Sequence, residues 1–178
     1  MNRRTVLVGL VLTVLLQLGV LAGEYLGAVY PLWSGQEVRL KVVPIDPRSL
    51  FRGNYARLNY AISTVTLDVR ADRGVLPENP LVYVRLKQGD DGVFVADGAS
   101  LQRPDAGLYL RGRLKGGRYQ LSYGMNSPVQ VRYGIEAWFA PKDKALQLEH
   151  DLRGGAVAVV MVASNGKAAL KAIEPTAE

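Results

Sequence analysis

The most continuous pattern comes first in the chain. From Val6 to Ala22 it reads VLVGLVLTVLLQLGVLA, with Gln17 the one strongly polar side chain. Such a run has no polar face to offer water, which excludes an amphipathic surface helix and predicts a membrane-spanning one. As a helix, Thr5 to Gly23 extends about 28 Å at about 1.5 Å per residue, close to the hydrocarbon thickness of a bilayer. Arg3 and Arg4 precede the run and Glu24 follows it. The positive-inside rule therefore keeps residues 1–4 in the cytoplasm and places the rest outside, as a single-pass protein of the cell (inner) membrane. Tyr25, Tyr30 and Trp33 fall where amphipathic rings favour the interface, so residues 24–36 read as an interfacial linker. The competing reading is a cleaved signal peptide ending near Val20-Leu21-Ala22. Its apolar core would be longer than the about 7 to 15 residues usual for such signals, and the anchor is the preferred reading.

Beyond the linker the period changes to two. Val38, Leu40 and Val42 alternate with Arg39 and Lys41; Leu58, Tyr60 and Ile62 with Arg57 and Asn59; Val82, Val84 and Leu86 with Tyr83, Arg85 and Lys87. This alternation predicts half-buried strands of an antiparallel sheet. Turn residues punctuate it. Gly89-Asp90-Asp91-Gly92 separates Leu81–Gln88 from Val93–Ala96, Gly116-Gly117 separates Tyr109–Leu114 from Tyr119–Tyr123, and Asn165-Gly166 separates Ala156–Ala163 from Ala168–Ile173. Three hairpins and two further strands predict a mostly β domain over residues 37–174, an antiparallel sandwich or partly closed barrel, with a frayed tail from Glu174 through 175–178.

Composition narrows the function classes. The chain has 178 residues, 48% apolar and 21% charged, as expected of a globular domain behind an anchor. No cysteine is present, which excludes disulfides, thiolate metal sites, cysteine nucleophiles and a lipidated-cysteine anchor. The formal charge is +6, but the basic residues are scattered singly among acids rather than gathered in a stripe, so nucleic acid is not an expected partner. His150 is the single histidine, and no calcium-loop spacing occurs, so neither a metal nor another cofactor is assigned.

The densest polar and aromatic cluster runs Pro44-Ile45-Asp46-Pro47-Arg48-Ser49-Leu50-Phe51-Arg52-Gly53-Asn54-Tyr55-Ala56-Arg57-Leu58-Asn59-Tyr60. Asp46-Pro47 is a good turn start, and Arg52-Gly53-Asn54 suits a tight turn in which Gly or Asn takes positive φ. Glu136 and Glu149 are the carboxylates considered as partners for Arg48 or Arg52. Two readings follow: a loop-to-strand corner locked by an arginine–carboxylate pair, or a docking and binding patch of Asp46, Arg48, Arg52, Asn54, Tyr55, Arg57, Tyr60, Glu136 and Glu149.

Through Gly53, Tyr55, Leu58 and Tyr60, with Asp46-Pro47-Arg48 and Phe51-Arg52 upstream, this cluster resembles the GDYXXLXY family of membrane-anchored bacterial proteins. Tyr133-Gly134-Ile135-Glu136, then Phe139, Pro141 and Leu148-Glu149, is similar to the family's other recurring segment, and Asn165-Gly166-Lys167 is in character. The chain departs from the pattern at Asn54, where the family name has Asp, and at Lys142, where an acid is expected. An amide neither ionises nor serves as a general base, so any acid–base role of that Asp is lost here. The resemblance inclines the ambiguous stretch Lys142–Leu152 toward a loop and short helix. It implies no established activity, but it does imply a partner, since such proteins accompany or are fused to a multi-pass membrane protein.

The expectation is a non-enzymatic accessory protein, embedded in the lipid bilayer and docked on a multi-pass membrane partner. The first alternative is an exported module that binds a small ligand or lipid. The second is a signal-peptidase-like Ser/Lys hydrolase, suggested faintly by Arg52-Gly53-Asn54-Tyr55; its candidate serines are Ser34, Ser49 and Ser63, and Lys41 is the candidate base.

Overall fold

A computed structural model describes residues 2–43, 55–67, 74–75, 78–116, 120–121, 128–139 and 155–176. Helix α1 (Arg3–Ser34) is long and apolar enough to cross a membrane, and its apolar stretch is uncovered by the rest of the chain. It does not end at Gly23. The 32-residue helix extends about 48 Å, so its last turns continue through most of the stretch read as a linker. Pro31 sits inside it and is its one buried residue.

The strands are β1 (Gln36–Val42), β2 (Tyr55–Arg57), β3 (Thr64–Thr66), β4 (Gly74–Val75), β5 (Leu81–Gln88), β6 (Phe94–Ser100), β7 (Tyr109–Leu114), β8 (Gln120–Leu121), β9 (Pro128–Arg132), β10 (Ala137–Phe139), β11 (Ala156–Val162) and β12 (Ala168–Pro175). Eight of them form one open, mostly antiparallel sheet in the order β12-β11-β1-β6-β5-β7-β9-β3, and β10-β2 and β4-β8 are separate two-stranded ribbons. The β1–β6 contact is the parallel one, through Leu40 opposite Phe94. The sheet curls. Leu67 makes a parallel bridge to Ala99 on β6, and the Arg111 N–H on β7 donates to Gly166 O in the turn between β11 and β12.

The alternation has its predicted cause. Val38, Leu40, Val42, Val82, Val84, Leu110, Leu114, Val131, Ala158 and Val160 all point into one core, while Arg39, Lys41, Arg85 and Lys87 face solvent. Gly112 on β7 is required by close approach: a Cβ there would lie 2.3 Å from Val131 Cγ1 and 2.8 Å from Arg132 O. A bulge in β5–β6 sets Asp97 and Gly98 against Arg85, with Gly98 at φ +96°.

Two of the three hairpins form as predicted, β5–β6 and β11–β12. The one expected across Gly116-Gly117 is not formed among the described residues: β7 pairs with β5 and β9, and β8 pairs with β4. The strand expected at Leu58–Ile62 is also replaced. After β2 the chain makes a single bridge from Tyr60 to Val42 and then a 3-10 turn at Ala61–Ser63. Tyr60 N–H donates to Ser63 Oγ and Ser63 N–H to Tyr60 O, so local bonds take groups that a ladder would have used. Glu174 is not frayed; it lies in β12 opposite Val157 and is paired with Arg39. Lys142–Leu152 lies outside the described residues.

Candidate functional site

The two segments that carry the family resemblance meet in space. Strand β2 pairs with β10, Arg57 opposite Ala137 and Tyr55 opposite Phe139, and Leu58 N–H donates to Glu136 O at 2.8 Å. Two tyrosines then cross-brace the corner. The Tyr60 hydroxyl donates to Ile135 O at 2.5 Å, and the Tyr133 hydroxyl donates to Ile62 O at 2.6 Å. Each segment thereby satisfies a buried carbonyl of the other, which is what buried polar groups require. Burial, followed by the negative charge of Glu136, pushes both phenols above the ordinary tyrosine range.

Glu136 is committed to its own turn. Its Oε1 accepts the Tyr133 N–H at 2.5 Å and its Oε2 accepts the Gly134 N–H at 2.9 Å, with Gly134 at φ +85°. The carboxylate thus closes a loop, and no ion pair joins it to Arg57 among the described residues; Arg48 and Arg52, its expected partners, lie outside them. Tyr60 is buried at 1% exposure and braces the corner from inside rather than facing a partner. Arg57 is exposed. Asp46, Arg48, Arg52, Asn54 and Glu149 lie outside the described residues, as do Lys142 and His150, and Tyr55 is placed through its backbone in β2.

Beside this corner is an open cleft of about 640 Å³, walled by Arg57, Asn59, Lys115, Gln130, Arg132 and Glu136 among others. Lys115 Nζ donates to Gln130 Oε1 at 3.3 Å. A second open cleft of about 720 Å³ shares Arg132 and Gly134 with the first and adds Arg111, Arg113 and Lys167. It opens where β9 parts from β7 after the Arg113–Arg132 pairing, with the 164–167 turn seated on the earlier part of β7. Both clefts are predominantly cationic. Among the described residues no three of His, Asp and Glu converge on a point that would hold a metal ion.

The serines considered as nucleophiles have structural partners where they are described. Ser34 Oγ donates to Tyr30 O at 3.0 Å, and Ser63 Oγ accepts from Tyr60 N–H at 3.1 Å. Lys41 is exposed on β1, and Ser49 lies outside the described residues.

One contact between distant segments escaped the sequence reading. Pro31 has no N–H, so the carbonyl four residues earlier, Gly27 O, loses its helical partner. Lys167, from the β11–β12 turn, fills the gap: its Nζ donates to Gly27 O at 2.6 Å. The signal was present as a proline four residues after a glycine, but nothing local names the distant donor. The gathering of arginines in the second cleft is also invisible along the chain, where basic residues stand singly, because alternation reports which face is wet and not what gathers there. Gly19, Gly23 and Gly27 fall at intervals of four, leading along one side of α1 to Pro31.

No curated protein and no solved structure matches this chain. The family described as GDYXXLXY protein matches over residues 17–173, from within the apolar helix through most of β12 and across both halves of the tyrosine-braced corner. With nearly the whole chain under that match, the protein belongs to the GDYXXLXY family.

Proposed function

We propose that the protein is a single-pass, membrane-anchored accessory subunit whose β-domain, on the extracytoplasmic side, docks on a polytopic membrane partner and performs no catalysis of its own. The observation that carries this reading is the uncovered apolar length of α1, joined to the domain by a built contact at Gly27, Pro31 and Lys167. A cleaved signal has no use for a helix that continues into the domain and is fastened there. Gly19 and Gly23 have open space where a side chain would stand, and small residues at this spacing let a second membrane helix approach closely.

The test is purification of the full-length protein from native membranes in mild detergent, with mass spectrometry of what accompanies it. A stoichiometric multi-pass protein is expected, and a Gly19→Leu/Gly23→Leu variant should lose it while the β-domain keeps its melting temperature. A chain recovered alone, or truncated near Ala22, overturns the reading.

The second reading, a module that binds a small ligand or lipid, is favoured by one observation of its own: both open clefts are lined by arginine and lysine.

A further inference from the structure

Strand β7 sets Arg111 and Arg113 two residues apart on one face, and β9 sets Arg132 directly opposite Arg113. Directly opposed like charges on neighbouring strands are destabilising. Among the described residues, none of the three guanidinium groups has a carboxylate within ion-pair distance. Arg113 Nη1 donates to Asn79 O at 3.1 Å, which orients the group without neutralising it. Glu78 also lines the cleft and is its one carboxylate among the described residues. Leu81, 38% exposed, adds an apolar wall beside the cations.

The position of the cleft points to its occupant. Lys167 lines it and is bonded through Nζ to Gly27 O. Gly27 lies four residues past Gly23, where the apolar run ends, so this corner of the cleft stands about 6 Å along the helix from the edge of the hydrocarbon. Lipid phosphates occupy that level.

We infer that the cleft formed by Arg111, Arg113, Arg132 and Lys167 binds the phosphate headgroup of an anionic phospholipid in the leaflet where α1 emerges, with Leu81 against the glycerol and upper acyl carbons. The guanidinium forks of Arg113 and Arg132 hold the phosphate between them, which turns a repulsive cross-strand pair into a shared anion site. Bound lipid seats the domain on the bilayer surface. The inference rests on the membrane-anchor part of the proposed function.

The experiment uses the full chain in detergent micelles and native mass spectrometry. Wild type and the Arg113→Gln/Arg132→Gln variant are titrated with phosphatidylglycerol, with phosphatidylcholine of the same acyl chains, and with inorganic phosphate. Wild type should prefer phosphatidylglycerol, and the variant should lose about 25-fold of that preference, in line with about a fivefold effect for each of the two surface cations removed. Single Arg113→Gln or Arg132→Gln variants should melt no lower than wild type without lipid, because each relieves the like-charge pair; this separates loss of binding from loss of fold. Equal preference in wild type and variant overturns the inference. So does inorganic phosphate that competes as well as the lipid, which would make the site one for a free anion. An unchanged lipid preference with loss of a co-purifying membrane protein also overturns it, because the cations then face protein. Alkaline extraction of membranes reads the anchor separately: a chain released from them defeats the anchor, whereas a retained chain without headgroup preference defeats the cleft.

Discussion

The contact between Lys167 and Gly27 makes a quantitative prediction, because Pro31 creates the need that Lys167 meets. In a regular helix the N–H of residue 31 would bond to Gly27 O; proline has none, and a buried carbonyl without a partner is costly. The ammonium stands 2.6 Å from that oxygen. A hydrogen bond from a charged donor contributes about 1.5–3 kcal/mol when shielded. Lys167 is only half-buried, so solvent screening lowers the expected value to about 1 kcal/mol. Lys167→Met keeps the stem and removes the charge, and should weaken the junction by that amount. Pro31→Ala restores a backbone N–H to Gly27 O and should make the lysine dispensable. The two substitutions therefore have to be coupled. The assay is a double-mutant cycle read by native-state hydrogen exchange at the amides of Leu32, Trp33 and Ser34 in the full-length chain. A coupling of about 1 kcal/mol is expected, with Lys167→Met nearly silent in the Pro31→Ala background. A cost for Lys167→Met that is the same in both backgrounds would refute the idea that the lysine replaces the missing helical donor.

The tyrosine-braced corner predicts an alkaline limit to stability. Both phenols titrate higher in the folded chain than the ordinary value of about 10, so their contribution is complete below that pH and declines as pH rises above it. Denaturant unfolding followed from pH 8 upward should stay level to about pH 10 and then fall by about 1.4 kcal/mol per pH unit for each tyrosine. Tyr133→Phe should halve that slope, and a level profile well above pH 10 would remove the corner from the buried core. Gly112→Ala forces a methyl group against Val131 and the Arg132 carbonyl; it should cost about 1–3 kcal/mol, seen as a lower urea midpoint at unchanged slope.

Much of the architecture is local in origin and could be read along the chain. The helix is legible because seventeen consecutive positions from Val6 to Ala22 carry one strongly polar side chain, a property of composition that needs no partner. Strands β1 and β5 are legible because a half-buried sheet imposes its period on the residues themselves, and Asn165-Gly166 marks its own turn between β11 and β12. The resemblance correctly joined the Tyr55–Tyr60 and Tyr133–Glu136 segments as parts of one pattern.

Other features were settled only when distant segments met. Leu58, Tyr60 and Ile62 alternate like a strand, but β2 ends at Arg57 and the bonds between Tyr60 and Ser63 turn the chain, because the same alternation also buries a corner. Glu136 reads as a partner for Arg48 or Arg52, which lie outside the described residues; what the fold shows is that the N–H groups of Tyr133 and Gly134 bond its two oxygens. Pro31 falls within the stretch read as a linker, yet it stays inside the helix, and Lys167, 136 residues later in the chain, occupies the carbonyl it leaves open. Arg113 and Arg132 are two scattered basic positions in the sequence and a directly opposed pair in the sheet. Sequence by itself determined which residues avoid water and with what period, since each side chain carries that preference wherever it stands. Which polar group meets which depends on distances between remote segments, and the curled sheet alone decided those.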